Sequence, residues 1–594
     1  MIATVRQSSL EQRLLGEVSS ERLWEYVSTI AKDERMSGSP EEREAMDYIA
    51  RTLRSWDVEV EEYEHDGYVS KPVSAHLQVM APGPEGAPFE LDCITHSFAT
   101  SAQLEAEVVY AGWGTESDYE GLDVAGKLVL TEGLATPHKV VAGERHGAAG
   151  FICINDHNLH QMIVTPIWGT PTPDNIHMLP QTPAVSIRLE DGERLKSLLE
   201  DGPVSVSLET EVWTGWARLP VVVGTIRGSG EPDRWVMLAG HIDSWFKGAI
   251  DNAAANATML EVMRIFAAER DHLRRGFRLV FWSGHSHGRY AGSTWYADEF
   301  WEELRDECVA YVNVDSTGAT QAELYEEILA MTQTAELARD VIKDLTGQSA
   351  EVNRVGRAGD QSFWGIGIPS VFMSLSRVPV ETAPELSRAI SGLLGRKKSG
   401  QAWFWHTEHD TLDKVDLDVL VLDTKIYLAT ILRLLNSPIL PFDYTAFLDE
   451  IIGALGEYQT KIGSALDLSH IMQRARHVRG QIALLNARVE QEQHIDLDQE
   501  DIINDALVTI GHRVIPINYT EAGRFDHDPA LHAPALAILS GINELARLDP
   551  GSDEFRFLRA KVVRQRNQAL HLLRLVEVTA MNALEALEDL ETDD

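Results

Sequence analysis

The spacing of apolar positions changes along the chain, and each change predicts a different kind of structure. Near the N-terminus, "SGSPEEREAMDYIARTLRSW" has the Ser-Pro start and acidic first turn of a helix, and "DVEVEEYEH" alternates like a strand. From about residue 69 to 219, short strand-like runs such as "EAEVVYAG" and "GKLVLTE" are separated by Gly, Pro and Asp. This middle segment therefore predicts a β-rich module with few helices.

A different pattern begins near residue 220, where short, mostly apolar runs alternate with helical stretches. The apolar runs are "RWVMLAGH", "FRLVFWS", "CVAYVNVD" and "PSVFMS". Such runs are typical of parallel strands that are buried on both faces of a sheet, so they predict an α/β domain. Beyond about residue 440 the period becomes helical, with one stripe at Phe447, Ile451, Leu455 and Tyr458, which predicts a helical domain.

Composition narrows the classes of function. The chain has 52 basic and 92 acidic residues, and the net charge of -40 repels nucleic acid and anionic membrane surfaces. Its three cysteines, Cys93, Cys153 and Cys308, are far apart, which fits a reducing compartment. The first residues lack the apolar core of a signal peptide, and no long apolar run follows. We therefore expect a cytoplasmic protein without nucleic-acid or membrane partners.

Histidine and aspartate residues follow the predicted strands of the α/β domain. They are His241, Asp243, Asp251, Asp315, His406, His409 and Asp410. Because ligands bind at the carboxyl ends of strands in open α/β sheets, we expect these side chains to converge on one rim. Imidazole and carboxylate groups bind zinc and also manganese, iron, cobalt or nickel, so the pattern predicts a site for a divalent transition metal. Asp243 would accept the free ring N–H of His241.

The stretch "FWSGHSHGRYAGS" also fits a different chemistry. Residues 284–288 read Gly-His-Ser-His-Gly, which matches the G-x-S-x-G turn that presents a serine nucleophile after a strand. Ser286, Asp360 and His406 occur in the chain order of one kind of catalytic triad. This interpretation gives no role to His241, Asp251 or Asp315.

Five segments in order carry a resemblance to a known family. "HIDSWFKGAIDN", "GRYAGS", "VNVDSTG", "GDQSFWGIGIPS" and "WHTEHDT" have the order and spacing of the zinc aminopeptidase family that includes glutamate carboxypeptidase and the transferrin receptor. The resemblance implies an aminopeptidase-like mixed sheet flanked by helices, a protease-associated insert and a helical dimerisation domain. A homodimer is expected. The implied segments are 1–68 and 220–440 for the catalytic domain, 69–219 for the insert and 441–594 for the dimerisation domain.

The same resemblance implies a site for two metal ions. His241 and Asp315 would hold one ion, His406 would hold the other, and Asp251 would bridge them. Asp360 and Gly367 to Pro369 match a motif that shapes the floor of the pocket, and Trp168 lies in a loop that could roof it.

The family's consecutive glutamates, which supply the base and a ligand of the second ion, are replaced here by His285 and Ser286. Trp405 stands where glutamate carboxypeptidase has a tyrosine that polarises the substrate carbonyl. An indole N–H donates a hydrogen bond but cannot transfer a proton. In the C-terminal segment, the substrate-contacting candidates are Tyr519, Arg524 and His527.

Three interpretations of the altered loop stay open. In the first, His285 or His287 joins Asp251 and His406 at the metal, and the other histidine acts as general acid or base. In the second, the site is vestigial, as in the transferrin receptor branch. In the third, Ser286 is the nucleophile of a serine hydrolase. The first predicts a metal-dependent hydrolase, with one or two ions, that cleaves a C–N bond in a small amide or short peptide.

Overall fold

The computed structural model describes residues 9–80, 86–357, 359–372, 375–394, 398–491 and 495–593. Two sequence-based interpretations fall partly outside these ranges. They concern the N-terminal residues 1–8 and the end of the predicted strand "PSVFMS", residues 373–374.

The first part of the chain forms helices and then a long strand. These elements are α1 (Ser9–Leu15), α2 (Ser20–Ile30), α3 (Pro40–Arg54) and β1 (Glu59–Val79). The next part is rich in strands. Its elements are β2 (Phe89–Leu91), β3 (Cys93–Thr95), β4 (Ala102–Tyr110), β5 (Leu128–Glu132), α4 (Pro137–Arg145), β6 (Gly150–Ile154), β7 (Ala184–Ile187), α5 (Leu189–Asp201) and β8 (Ser205–Ile226).

Strands and helices alternate in the following part. Its elements are β9 (Glu231–His241), α6 (Ala255–Ala268), β10 (Arg275–Trp282), α7 (Ala291–Glu299), α8 (Trp301–Glu307), β11 (Cys308–Asn313), β12 (Glu327–Leu329), α9 (Ala335–Thr346), β13 (Glu351–Asn353), β14 (Ser370–Val371), β15 (Val378–Pro379), α10 (Pro384–Leu394), β16 (Ser399–Gly400) and α11 (Leu417–Asn436). The last part is helical. Its elements are α12 (Tyr444–Ile462), α13 (Ser469–Gln491), α14 (Leu497–Tyr519), α15 (Ile542–Leu545) and α16 (Asp553–Asp593).

One sheet runs through the α/β part and the β-rich part. Strands β1 and β8 pair antiparallel from Glu59 opposite Thr225 to Val79 opposite Val206. Both strands therefore run through the segment boundaries predicted near residues 68 and 219. β8 then pairs with β4 at one end and with β10 at the other. The two parts share a continuous hydrogen-bonded ladder, which couples the insert to the α/β core.

The centre of the α/β core is the parallel, buried sheet that the sequence predicts. β9 pairs parallel with β10 and with β11, and β14 pairs parallel with β11. The antiparallel pairing of β8 with β10 makes the sheet mixed. The predicted fold class is thus confirmed. Because β9, β10 and β11 run in the same direction, the loops at their carboxyl ends meet at one edge.

Helices cover both faces of this sheet. Side chains of α2, α6 and α11 join one large apolar core with strands β9 and β10, and side chains of α7 and α8 join a second core on the opposite face. Among helices in the described part of the chain, none is both long enough and apolar enough to cross a bilayer. Because helices pack on both faces of the sheet, the loops at its carboxyl edge begin from fixed positions and can support a site.

We predict that truncating a central strand residue destabilises the whole core. Leu238 of β9 is completely buried, so Leu238→Ala removes buried methyl groups and leaves a cavity. The expected loss in the free energy of unfolding is about 2–5 kcal/mol, measured by chemical denaturation. Leu497→Ala is the matched control because Leu497 is 71% exposed. Equal effects of both substitutions would contradict the placement of β9 in the core.

Candidate metal centre

The Asp251 carboxylate lies between two imidazole rings at the carboxyl edge of the sheet. His241 Nε2 is 3.2 Å from Asp251 Oδ1, and His406 Nε2 is 3.2 Å from Asp251 Oδ2. Burial alone would raise the pKa of Asp251, but the two imidazoles hold it well below its ordinary value. Asp251 thus lies between the two histidines that the family resemblance assigns to different ions, and its role as a bridge stays a prediction.

The outer nitrogens of both rings are fixed by main-chain carbonyls. His241 Nδ1 donates to the Asp243 carbonyl at 2.8 Å, and His406 Nδ1 donates to the Gln161 carbonyl at 2.6 Å. Each Nε2 is thereby turned toward Asp251. The acceptor for His241 is the main-chain carbonyl of Asp243. The sequence suggested the Asp243 carboxylate instead. The nearest carboxylate oxygen of Asp243 is 3.7 Å away.

This geometry is satisfied when a proton or a metal ion lies between Asp251 and each ring. A neutral imidazole carries one N–H, and in both rings that hydrogen is already donated to a carbonyl. The Nε2 atoms therefore face a carboxylate with lone pairs unless a proton or a metal ion lies between them. His241 Nε2 is buried, and the Asp251 carboxylate 3.2 Å away faces it. Burial lowers the pKa of His241, but the carboxylates of Asp251, Asp315 and Asp243 raise it to about 10.

A third imidazole joins His241 at this edge. One ligand atom each of His241, His285 and Asp315 lies within 4.8 Å of the others. The rings of His241 and His285 stack, with centroids 3.7 Å apart. His285 Nδ1 lies 2.7 Å from Asp360 Oδ2, so this carboxylate fixes the Nδ1 hydrogen and leaves Nε2 for another partner. The three side chains form a two-imidazole, one-carboxylate group suited to a divalent transition metal.

The placement of His285 differs from the sequence-based interpretation. That interpretation put His285 or His287 beside Asp251 and His406, at the second ion. The structure groups His285 with His241 and Asp315 instead, because Asp360 holds the far side of its ring. Within the described ranges, no further histidine, cysteine or acid completes a comparable group around Asp251 and His406.

His287 lies on the other side of the altered loop. Its Nδ1 is 3.0 Å from Ser37 Oγ, and its ring centroid is 4.3 Å from that of Trp245. Burial lowers the pKa of His287, which favours the neutral ring. The structure therefore brings His285, but not His287, into the group of candidate ligands.

The Asp243 carboxylate holds the altered loop through its main chain. The His285 N–H donates to Oδ1 at 3.2 Å, and the Ser286 N–H and Ser37 Oγ each donate to Oδ2 at 2.7 Å. Asp410 acts similarly on the neighbouring loop, since it accepts the N–H groups of Ile250 at 2.8 Å and Asp251 at 3.0 Å. Two buried carboxylates thus position the candidate ligands by hydrogen bonds to the backbone.

The described side chains do not form the triad that the serine interpretation needs. Asp360 contacts His285, and His406 contacts the Gln161 carbonyl and Asp251. Neither ring nitrogen of His406 is directed at Asp360 or Ser286.

A cavity of about 840 Å³, including its open mouth, lies over the candidate ligands. Trp405 lines it, as predicted for a substrate-binding residue, and stacks on His406 with ring centroids 3.5 Å apart. All three parts of the chain contribute to the lining. The residues are Thr136, Pro137, Met162 and Ile163 of the insert, Ala530 of the helical part, and Asp251, His285, Arg289, Tyr290, Asp315, Ser316, Arg357, Gly359, Arg377, Ile390, Gln401, Trp405 and His406 of the α/β part.

The other predicted substrate contacts do not line this cavity. Tyr519 is buried against Trp364, with ring centroids 5.0 Å apart. The Arg524 carbonyl accepts from the Trp301 indole at 3.4 Å, and His527 Nε2 lies 2.8 Å from Asp298 Oδ1. Asp528 accepts a hydrogen bond from Arg357 where the segment turns. This contact places Ala530 at the cavity, in place of the three predicted residues. Trp168 packs on Tyr290, with ring centroids 4.2 Å apart, and so lies behind the lining.

Sequence reasoning missed Arg289, Tyr290 and Arg377 as cavity residues. Arg289 and Tyr290 directly follow the altered loop, and that proximity was an available signal. Arg377 lies between β14 and β15, in a segment without a recognisable motif. Only the folded chain brings it to the cavity.

The architecture is that of a zinc-aminopeptidase-like α/β domain with an inserted β-rich part and a helical C-terminal part. A zinc aminopeptidase from Bacillus subtilis shares the fold, with a TM-score of 0.51 and 18% identity over 70% of this chain and 94% of that one. Residues 221–431 match the model of Peptidase family M28.

Two relatives extend the match over most of the chain. A probable glutamate carboxypeptidase of Zea mays is 24% identical over 70% of this chain and 67% of its own length. The aminopeptidase NAALADL1 of Rattus norvegicus is 23% identical over 76% of this chain and 73% of its own length. The resemblance to glutamate carboxypeptidases and zinc aminopeptidases is confirmed, and the match to Peptidase family M28 lies in the α/β part of the chain.

We predict that the Asp360 carboxylate tunes metal binding through His285. Asp360→Asn keeps the shape of the side chain but removes the charge that fixes the Nδ1 hydrogen of His285. Metal affinity should fall about 10–100-fold, measured by competition with a chelator. Asp271→Asn is the control, since Asp271 is exposed on a surface turn. Unchanged affinity in Asp360→Asn would mean that His285 does not contact the ion.

Proposed function

We propose that this protein is a metal-dependent hydrolase that cleaves a C–N bond in a small amide or short peptide. The observation that carries the proposal is the group formed by His241, His285 and Asp315, with Asp251 beside it. A metal ion is one way to satisfy the Asp251 carboxylate and the two imidazole nitrogens that face it, and a proton is the other.

The donor atoms fit the proposed ion. Two imidazole nitrogens and a carboxylate oxygen suit zinc, and they also suit manganese, iron, cobalt or nickel. A divalent ion held there would act as a Lewis acid, polarising an amide carbonyl and making water a nucleophile at neutral pH. Asp251 and His406 would hold a second ion with fewer protein ligands, so we propose one or two ions in each chain.

The side chains around the cavity have distinct roles in this proposal. Asp360 orients His285, and the Gln161 carbonyl orients His406. His406 and Asp251 line the cavity, and with a single ion held by the other ligands this pair would be placed to accept a proton from water. Trp405 covers His406 and offers one indole N–H to the substrate.

The cavity supports a small substrate. Its walls come from the insert, the α/β part and the C-terminal part, so a bound molecule would be enclosed on several sides. Long polypeptides fit such a cavity poorly unless they enter by one end. The homodimer and the cytoplasmic location stay predictions.

We predict that replacing His285 lowers the metal content of the protein, whereas replacing His287 does not. Purified protein should contain stoichiometric transition metal, and removal by a chelator should abolish hydrolysis. His285→Ala should lower both metal content and turnover, because His285 lies in the candidate ligand group. His287→Ala should keep the metal and lose mainly thermal stability, because His287 is buried against Trp245. Metal content by mass spectrometry and melting temperature measure the two effects.

Either of two results would contradict these predictions. Purified protein without a stoichiometric transition metal would overturn the proposed function and favour a vestigial site. Equal, negligible effects of both alanine substitutions on metal and turnover would remove His285 from the catalytic assignment.

We predict that Ser286 is not a nucleophile. Ser286→Ala keeps the backbone N–H that donates to Asp243, so the loop should hold its shape and hydrolysis should persist. Wild-type protein should not react with a fluorophosphonate probe, as measured by intact-protein mass spectrometry. Loss of all turnover in Ser286→Ala, together with probe labelling at Ser286, would instead establish a serine hydrolase.

A further inference from the structure

Three arginines lie near one another outside the cavity over the candidate metal centre. Arg305 is on α8, Arg513 is on α14, and Arg524 follows α14. None of the three lines that cavity. The Arg305 side chain donates to the Ile366 carbonyl at 3.4 Å, and the Arg524 side chain donates to the His512 carbonyl at 3.4 Å. Because both bonds are long, the N–H groups of Arg305 and Arg524 are mostly unused by the protein.

These arginines have no carboxylate partner. In the described part of the chain, no acidic side chain lies within ion-pair distance of Arg305, Arg513 or Arg524. An arginine of the neighbouring helix α13 is different, since Arg479 Nε lies 2.6 Å from Asp449 Oδ1. The chain has 92 acidic and 52 basic residues, so acidic partners are plentiful. The lack of one at this surface therefore does not follow from composition.

The positive charges of this group act on one another. Burial lowers the pKa of Arg305, and Arg524 and Arg513 lower it further, although Asp306 raises it. Burial also lowers the pKa of Arg513, and Arg524 adds to that effect. Burial and the neighbouring arginines lower the pKa of His512 to about 3, so this ring is neutral. An anion bound among these arginines would offset their mutual repulsion.

An exposed aromatic ring borders the arginines. Phe525 is 73% exposed and packs on Trp301, with ring centroids 5.0 Å apart. The Trp301 indole donates to the Arg524 carbonyl at 3.4 Å, and the Arg305 guanidinium lies 5.5 Å from the centre of the Trp301 ring. Trp301 thus joins the positively charged group to an aromatic face that is open to solvent.

We propose that Arg305, Arg513 and Arg524 bind the phosphate group of a small phosphate ester, and that Phe525 contacts its organic body. A phosphate monoester carries a charge of about −1.5 to −2 and three acceptor oxygens, which suit several guanidinium groups better than one carboxylate does. A planar ring on the ligand, as in a nucleotide, would stack on Phe525. The net charge of -40 repels long polyanions, which favours a small ligand over nucleic acid. This site does not rest on the proposed hydrolase function.

The test is equilibrium binding of adenosine monophosphate to the full-length protein, measured by calorimetry. Adenosine is the probe without the phosphate, inorganic phosphate is the probe without the ring, and hexaglutamate represents an acidic protein segment. Wild-type protein should bind adenosine monophosphate at least about tenfold more tightly than adenosine, and more tightly than the other two probes. The same affinity should remain after a chelator has removed any bound metal.

Substitutions locate the bound phosphate. Arg305→Gln and Arg524→Gln should each weaken binding of adenosine monophosphate about tenfold or more, because each removes a charged donor. Phe525→Ala should weaken binding of adenosine monophosphate and leave binding of inorganic phosphate unchanged. Arg513 is kept, because it also donates to the Leu575 carbonyl of α16 and its loss would disturb the helices.

Control variants complete the test. Arg479→Gln is the matched control, because Arg479 is also partly exposed but already pairs with Asp449, so its affinity should equal that of wild type. Arg305→Lys and Arg524→Lys keep the charge and lose the paired donors of the guanidinium, so they serve where a glutamine variant does not fold. Each lysine variant should also bind adenosine monophosphate more weakly.

Four results would contradict the proposal. Equal binding of adenosine monophosphate by wild-type protein and both arginine variants would overturn the site, as would equal binding of adenosine and adenosine monophosphate. Binding that disappears with the metal would place the phosphate at the metal centre instead. Tighter binding of hexaglutamate than of adenosine monophosphate would replace the phosphate ester by an acidic protein partner. Inorganic phosphate that binds as tightly as adenosine monophosphate would overturn the role of Phe525.

Discussion

The site depends on one electrostatic constraint, which is the Asp251 carboxylate held 3.2 Å from two imidazoles whose other nitrogens already donate to carbonyls. Without a proton or a metal ion, lone pairs would face lone pairs in a buried setting, which is unfavourable. The surrounding structure keeps this arrangement in place. Asp410 accepts hydrogen bonds from the backbone of the Asp251 loop, and Asp243 accepts hydrogen bonds from the backbone of the altered loop. The fold therefore holds a buried carboxylate between two imidazoles, which a proton or a metal ion would satisfy, and fixes the surrounding loops by main-chain hydrogen bonds.

The inserted part contributes directly to this site. The Gln161 carbonyl fixes the tautomer of His406, and its N–H donates back to the His406 carbonyl at 2.9 Å. His160 donates to the Trp405 carbonyl at 2.6 Å, so the insert holds both residues that close this side of the cavity. Because β1 and β8 run unbroken between the two parts, the insert keeps a fixed position relative to the core. A catalytic domain without the insert would lack these restraints.

The sequence predicted those features that follow from regular structure. Ligand candidates at the ends of β9 and β11 were predictable because the carboxyl ends of parallel strands share an edge. The sequence did not show which of His285 and His287 joins the candidate ligands, because a loop has no periodicity from which the direction of each side chain can be predicted. Their directions are set by Asp360, Ser37 and Trp245, which lie on distant segments of the chain. The cis peptide bond between Asp251 and Asn252 likewise has no signal in the sequence.

The altered loop changes the charge of the site as well as its ligands. Relative to the family pattern, His285 and Ser286 remove two negative charges, and the positively charged Arg289 lies close by. In the family pattern the two glutamates act as the base and as a metal ligand, so their replacement removes a proton acceptor and a ligand as well as charge. The present loop places Arg289 beside the candidate ligands, and Arg377 lines the same cavity, so both make the electrostatic potential there more positive. Substitutions that would disable the inherited peptidase site are therefore consistent with a site rebuilt for a different small amide.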